Sequence, residues 1–254
     1  MLYHRPVPTG AATATGYGPG LSPENVIAAY FDPVSGHTFV FAEPSAQPVM
    51  WASYLDGARR SYRQHGVESA IEYDDVRDGR STALFVVAID DAGGVVGGLR
   101  VQGRLGRPEQ AHALGEWAGR PGTVEMYSQI AHRLPFGVIE VKAVWVDENS
   151  DHRFKLTASL ARAFVHAMDV MDVRYALCTA AGHAVTRWQT SGGVVATDVA
   201  AVAYPDERYR TMLMWWDRNS IADGIPADQY AALTREAHLL FGRGAVASLL
   251  SSVA

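Results

Sequence analysis

Two stretches of this sequence place ionisable side chains where their chemistry would be altered. In Val138-Ile-Glu-Val-Lys-Ala-Val-Trp-Val146, Glu140 and Lys142 sit two residues apart among Val138, Val141, Val144 and Val146. Residues this rich in β-branching make a strand, and a carboxylate held inside one loses hydration. That loss raises its pKa toward the range of a working proton acceptor. Lys142 shares a strand face with Glu140 and opposes the shift by holding the carboxylate ionised. A structural ion pair of Glu140 with Lys142 or with Arg100 is the competing use of the same residues. Arg100 ends Gly97-Gly-Leu-Arg100, and its planar fork of donors fits a carboxylate bidentately. In the second stretch, His152-Arg-Phe-Lys155, cations stand at the start of a predicted helix, where they oppose the positive end of its dipole. A phosphate held by the N–H groups after Asp151, with charge from Arg153 and Lys155, resolves that conflict; a solvated basic loop is the alternative.

Other candidates are weaker. Asp75 and Asp78, in Glu72-Tyr-Asp-Asp-Val-Arg-Asp78, can hold an ammonium group or order a lid, or form a solvated acidic turn. Arg59, Arg60 and Arg63 are candidate salt-bridge partners for them. Cys178 is the single cysteine. It can form no intramolecular disulfide, and with no Cys or His cluster around it no zinc site is expected. On an apolar strand it reads as a small buried hydrophobe and not as a nucleophile. His166 and His183 read as capping or surface groups. Met168, Met171, Met212, Met214 and the Trp215-Trp216 pair read as core that can also line an apolar tunnel.

The elements that position these residues follow from periodicity. Trp51, Tyr54, Leu55, Ala58 and Tyr62 form one stripe of a helix over Val49 to His65. Leu84 to Ile89 and Val95 to Val101, joined by Asp90-Asp-Ala-Gly-Gly94, predict a β-hairpin. Pro108 to Gly137 is turn-rich, with one short helix at Val124 to Arg133. Leu156, Leu160, Phe164, Met168 and Met171 predict a helix over Lys155 to Met171, with Arg162, His166 and Asp169 on the opposite face. This helix links the strand carrying Glu140 to a second strand, Arg174 to Thr179, as a parallel crossover. A helix over His183 to Ser191 stops at Gly192. Val194 to Tyr204 and Tyr209 to Trp216 then predict an antiparallel pair of strands, followed by helices over Ala227 to Leu240 and Ala245 to Ser251.

The chain has 254 residues, 48% hydrophobic and 19% charged, with a formal charge of −5. This is a globular composition large enough for a core. Its mild acidity argues against binding nucleic acid through phosphate neutralisation. No apolar run approaches the ~20 residues of a membrane span. No apolar signal segment follows the N-terminus, so a cytoplasmic location is expected. Residues 1–20, rich in Gly, Pro and small side chains, read as a flexible tail.

The local sequence resembles a known family. Met126-Tyr-Ser-Gln-Ile-Ala-His-Arg-Leu-Pro135, followed by the strand with Glu140, is similar to the segment of acyl-homoserine-lactone synthases in which a Met-led helix precedes a Glu-bearing strand. Gly97-Gly-Leu-Arg100 resembles their arginine-bearing strand, and Asp75 with Asp78 their spaced aspartates. The likeness covers about residues 50 to 217 and extends to the related N-acyl amino acid synthases. It implies the GNAT acyltransferase fold: a mixed twisted sheet of about seven strands flanked by helices, over residues 21–220, with a C-terminal helical extension over 221–254. The implied activity is acyl transfer from acyl carrier protein (a phosphopantetheine thioester) or acyl-CoA to the amine of a small amino acid-like acceptor, without a metal. Glu140 is the implied base, Arg100, Lys142, Asp75, Asp78 and Arg59 bind the acceptor, and Arg153, Lys155, Trp145 and Val146 bind the donor.

The sequence also departs from these patterns. Ala143 stands where the synthases carry an arginine three residues after the strand glutamate. Leu156 replaces the first glycine of the pyrophosphate loop of acetyl-CoA-dependent GNAT enzymes, and Trp188 replaces the tyrosine that protonates their leaving thiolate. An acetyl-CoA-dependent acetyltransferase, and a catalytically silent GNAT domain that binds an acyl ligand or partner protein, are the alternative functions.

Overall fold

Strand β1 (Ala28–Asp32) turns into β2 (His37–Ala42) where Asp32 accepts the N–H of Val34 and Ser35 and Gly36 takes φ +75°. The computed structural model describes residues 25–150 and 152–242. The expected tail over 1–20, the helix over Ala245 to Ser251, and Asp151 lie outside them. Helix α1 (Pro48–Gln64) begins on a proline, which lacks the N–H that a first helical turn leaves unpaired anyway. A turn of helix, α2 (Tyr73–Val76), precedes the hairpin of β3 (Leu84–Ile89) and β4 (Val95–Gln102). Helices α3 (His112–Glu116) and α4 (Thr123–Arg133) lead into β5 (Val138–Val146), and α5 (Arg153–Val170) crosses to β6 (Tyr175–Ala181). After α6 (Val185–Gln189) come β7 (Val194–Val195), β8 (Val202–Ala203) and β9 (Arg210–Asp217), then α7 (Ile221–Gly224) and α8 (Ala227–Phe241).

These strands form one mixed sheet in the order β1-β2-β3-β4-β5-β6-β9-β7, with β8 also on β9. All neighbours are antiparallel except β5 and β6, the parallel pair expected of the crossover. The alternation of side chains across a strand divides the core in two. Phe85, Val87 and Trp145 meet Trp51, Tyr54 and Leu55 of α1 on one face, which Val138, Leu177 and Leu213 extend toward Met126 and Ile130 of α4. On the other face Val86, Leu99 and Val141 meet Leu156, Leu160, Phe164 and Met168 of α5. Burying each of those four contributes about 1.5–3 kcal/mol as an upper estimate.

Several expectations change. The mixed twisted sheet is as expected, and among the described residues it has nine strands where about seven were expected, β7 and β8 being two residues each. The expected strand Val194 to Tyr204 is two short ones, because Trp117 Nε1 donates to Ala200 O at 2.8 Å and Gln129 Nε2 to Asp198 at 2.7 Å. These bonds draw the intervening loop toward α4 and away from the ladder. The turn-rich 108–122 segment holds a second short helix, α3, and the helix after His183 shrinks to α6. Arg162 and His166 face no solvent: α8 covers that side of α5, and both are buried against Glu236. Helix α8 packs into the core through Leu233. Among the described residues, no helix is long and apolar enough to cross a membrane.

Candidate active site

The sheet splits at its centre. β5 and β6 pair only through Val138↔Tyr175, Ile139↔Ala176 and Glu140↔Leu177. Beyond these, β5 stays with β4 as far as Val146, and β6 stays with β9 as far as Ala181. Among the described residues, the edge of β5 from Val141 onward therefore has no strand beside it, which leaves backbone N–H and C=O groups on that side open to a ligand. A cavity of about 550 Å³ fills the split, a size ordinary for small-molecule sites.

A bulge shapes this edge. Gly98 pairs with Trp145 and Arg100 with Lys142, so Ala143 and Val144 together stand opposite Leu99. Ala143 takes φ +49°, unusual for a residue with a Cβ. The Tyr54 hydroxyl holds it by donating to Ala143 O at 2.7 Å. Gly98 gives the Tyr54 ring its room, since a Cβ there would lie 2.9 Å from the ring and 2.5 Å from Val86 O. Tyr54→Phe is expected to lower stability by about 0.5–1.5 kcal/mol, seen as a lower urea midpoint at unchanged slope.

Glu140 is buried at the root of the split, but both of its oxygens are taken. They accept the backbone N–H of His112 at 2.7 Å and of Ala113 at 2.9 Å. Helix α3 has no local side-chain cap, so Glu140, reaching from β5, satisfies its first N–H groups. Burial pushes the Glu140 carboxyl up, and neighbouring Glu116 adds to this against the Lys142 ammonium. Lys142 Nζ is 3.9 Å from Glu140 but 3.0 Å from Glu116 Oε1. Of the two carboxylates beside Lys142, the one that lines the cavity is thus Glu116, at the end of the helix that Glu140 anchors; Asp147 and Glu148 line it farther along β5.

Glu116 Oε2 is buried and has no hydrogen-bond partner among the described residues, while Oε1 meets Lys142 and, at 3.3 Å, His112 Nδ1. Burial raises the pKa of Glu116, but the His112 hydrogen bond and the Lys142 ammonium outweigh it and hold the carboxyl below the usual range. His112 Nδ1 also contacts Lys142 Nζ, and His112 Nε2 meets the half-exposed Glu72 at 2.6 Å. The hydrogen bond to Glu116 and the carboxylate of Glu72 raise the His112 pKa against burial and Lys142. Ionisable groups therefore run unbroken from buried Glu116 to the surface at Glu72.

Arg100 is 3% exposed, and its Nε and Nη1 have no partner among the described residues. Lys142, Trp145, Val146 and Arg153 line the cavity, as do Cys178 and Trp188. Burial pushes the Cys178 thiol far up, consistent with an inert side chain. Lys155 is exposed on the first turn of α5. Asp75 and Asp78 lie on an exposed turn away from the cavity lining. Arg59 binds Glu68 at 3.1 Å, and Arg63 binds it at 2.7 Å, not the aspartates. Met168, Met171, Met212, Met214, Trp215 and Trp216 do not line the cavity. Among the described residues no group of His, Cys, Asp and Glu is arranged to hold a metal.

Sequence reasoning missed Glu116, His112 and Glu72. The one signal was His112 and Glu116 at helical i, i+4 spacing, concealed by Pro108, Gly115 and Gly119.

No protein-family model matches the sequence. The structure is similar to that of FeeM, an N-acyl amino acid synthase from uncultured soil microbes, at TM-score 0.51 and 14% identity, over 76% of this chain and 98% of that one. It is also similar to BjaI, a CoA-dependent acyl-homoserine lactone synthase solved with MTA, at TM-score 0.52 and 14% identity, over 79% and 89%. At these identities the likeness establishes the fold, and it is the GNAT fold that the sequence resemblance implied. The uncharacterized proteins Rv1356c of Mycobacterium tuberculosis (strain H37Rv) and Mb1391c of Mycobacterium bovis are each 44% identical over 201 residues, 79% of this chain and 76% of theirs. The chain belongs to the family of these mycobacterial proteins and builds it on the GNAT acyltransferase fold.

Proposed function

We propose that the protein is an N-acyltransferase that moves an acyl group from a phosphopantetheine thioester, on acyl carrier protein or CoA, to the amine of a small amino acid-like acceptor. The observation that carries this reading is the split sheet, where the buried carboxylate of Glu116, beside the Thr179 hydroxyl, shares a cavity with the open edge of β5. Acyl transfer needs a neutral amine, donors for the developing oxyanion and a proton for the leaving sulfur. Glu116, whose own pKa is low, relays a proton from the acceptor's ammonium group to His112, whose raised pKa suits it to hold that proton, and Glu72 gives it a way to solvent. The amine nitrogen then bonds to the thioester carbon, the carbon–sulfur bond breaks, and a second proton from nitrogen ends on the thiol. N–H groups of the bulged β5 edge face the carbonyl oxygen in this scheme.

Arg100 is not among the residues that line the cavity, but it stands across the ladder from Lys142, which is, and its donors without a partner among the described residues suit the acceptor's carboxylate. Arg153 at the start of α5 suits the donor's phosphate, since this helix has no acidic residue in its first turn and no side-chain cap. Lys142 is placed to hold Glu116 ionised, and Glu140 to anchor α3. Asp75, Asp78 and Arg59 have no part in this scheme.

The test is direct. Purified protein is given acyl-CoA or acyl carrier protein with a panel of amino acids, and free thiol and N-acyl product are followed by colorimetry and mass spectrometry. Stoichiometric thiol and amide are expected for at least one pair. Thioester binding without product for any acceptor points instead to a silent acyl-binding domain.

A further inference from the structure

We infer that Trp145, seated in a notch at Gly57, is the stop that sets the length of acyl chain the cavity accepts. This rests on the transferase reading and adds a specificity determinant to it.

The indole lies where α1 comes nearest to β5. A Cβ built on Gly57 would fall 2.0 Å from Trp145 Cη2 and 2.1 Å from Cζ2, so only glycine lets the ring lie across the helix. Gly57 is buried mid-helix in α1, a position where glycine costs about 1 kcal/mol relative to alanine. Across the ladder Trp145 faces a second glycine, Gly98, and the Tyr54 ring lies tilted beside it with ring centroids 6.4 Å apart. The ring is 4% exposed, and its Nε1 is buried without a partner among the described residues. No hydrogen bond explains the tryptophan, so the bulk of its ring is the feature that remains.

That bulk stands at a particular place. Arg153 and Phe154, on the first turn of α5, line the cavity on one side of the sheet, and Tyr62 of α1 and Glu116 of α3 line it on the other. A donor whose phosphate sits at Arg153 passes its thioester through the split, and its acyl chain emerges on the α1 side. Trp145 bounds the cavity there. Behind it lie Tyr54, Phe85 and Leu55, an apolar cluster closed to water. Removing the indole therefore extends the cavity into hydrocarbon, where each further methylene buried strengthens binding about fourfold. Adding a methyl at Gly57 drives the indole the other way, into the cavity.

The two substitutions thus have opposite expected outcomes. Acyl-phosphopantetheine thioesters from acetyl to palmitoyl, the arm shared by both donors, are titrated calorimetrically into the full chain without acceptor. Trp145→Ala should move the tightest-binding chain to greater length, and Gly57→Ala should move it to shorter length or weaken the longest chain bound. Trp145→Phe retains most of the packing and should show a smaller lengthening, which keeps the test open if the alanine variant does not fold. An unchanged optimum in folded Trp145→Phe and Gly57→Ala overturns the inference while leaving the transferase reading intact. If the unsubstituted protein binds no thioester of any length, the transferase reading fails and the inference with it.

Discussion

Replacing Glu116 by glutamine is expected to lower turnover about 10²- to 10⁴-fold while leaving the fold nearly as stable. The amide keeps the size of the carboxylate and can still accept from Lys142, but it cannot take a proton from an ammonium group. The partner change is cushioned because Lys142 retains Glu140 at 3.9 Å. Glu140→Gln should behave in the opposite way. One of its two atoms would become a donor facing the N–H of His112 or Ala113, which leaves a buried donor unsatisfied at a cost of about 1–3 kcal/mol. Its turnover per folded molecule should fall less than that of Glu116→Gln. Single-turnover acyl transfer and thermal melting on the same two samples separate the roles. Full activity in Glu116→Gln removes Glu116 from the chemistry; a large loss confined to Glu140→Gln restores the strand carboxylate as base.

The largest effect on stability is expected at Glu236, remote from the cavity. Arg162 Nε and Nη2 reach its carboxylate at 2.9 and 2.6 Å, and His166 Nε2 lies 2.9 Å from its second oxygen. Ser159 and Gln229 complete the shell of Arg162 at 3.0 and 2.7 Å, with Asp32 of β1 at 3.5 Å. Glu236→Ala leaves the buried guanidinium without its nearest countercharge, which costs about 3–5 kcal/mol. For a protein of this size that is a fall of roughly 6–20 °C in melting temperature. Replacing both partners, Arg162→Met with Glu236→Leu, should recover most of it, since apolar pairs of similar volume are often neutral in such sites. If Glu236→Ala melts with the parent protein, this network does not hold α8 in place. The same pair has a pH signature. Burial opposes ionisation of Glu236, but His166 and Arg162 hold its pKa below the ordinary value. Its stabilising contribution is therefore present above the unfolded pKa of about 4.3 and is lost as pH falls through the lower folded value.

These two sites show what periodicity conveys and what it does not. The stripes of α1 and α5, the hairpin β3–β4 and the crossover to β6 were all legible, because each is a local pattern that one buried face imposes, and α8 was legible as a helix without its buried face. Arg162 and His166 were not, because the helix period reports only which face is polar. That α8 would cover this face depends on Glu236 meeting Arg162 across the fold. Glu116 was lost for a related reason: α3 is a single turn or so, begun by a carboxylate from a distant strand and not by a cap of its own. Glu140 drew notice as a carboxylate among valines, and it is in fact buried there. Its neighbours along the chain held no sign that both its oxygens would be used on backbone. The aspartates at 75 and 78 resembled a known spacing, yet the side chain of that segment nearest the cavity network is Glu72.

The split of the sheet has a further consequence, for the order in which the molecule assembles. From β1 to β5 every strand pairs with the one before it, so that half of the sheet grows by nearest-neighbour closure. β6 and β9 form the second half around contacts of their own, and among the described residues a short parallel ladder is the only strand pairing between the two. Hairpin-like closure has a small entropic barrier, whereas a parallel pairing must wait for its crossover. The two halves are therefore natural cooperative units, and the cavity exists only once they have docked. Amide hydrogens of Val138 to Glu140 and Tyr175 to Leu177 would then exchange faster than those of β3 and β4, and a ligand in the cleft would slow them by tying one unit to the other.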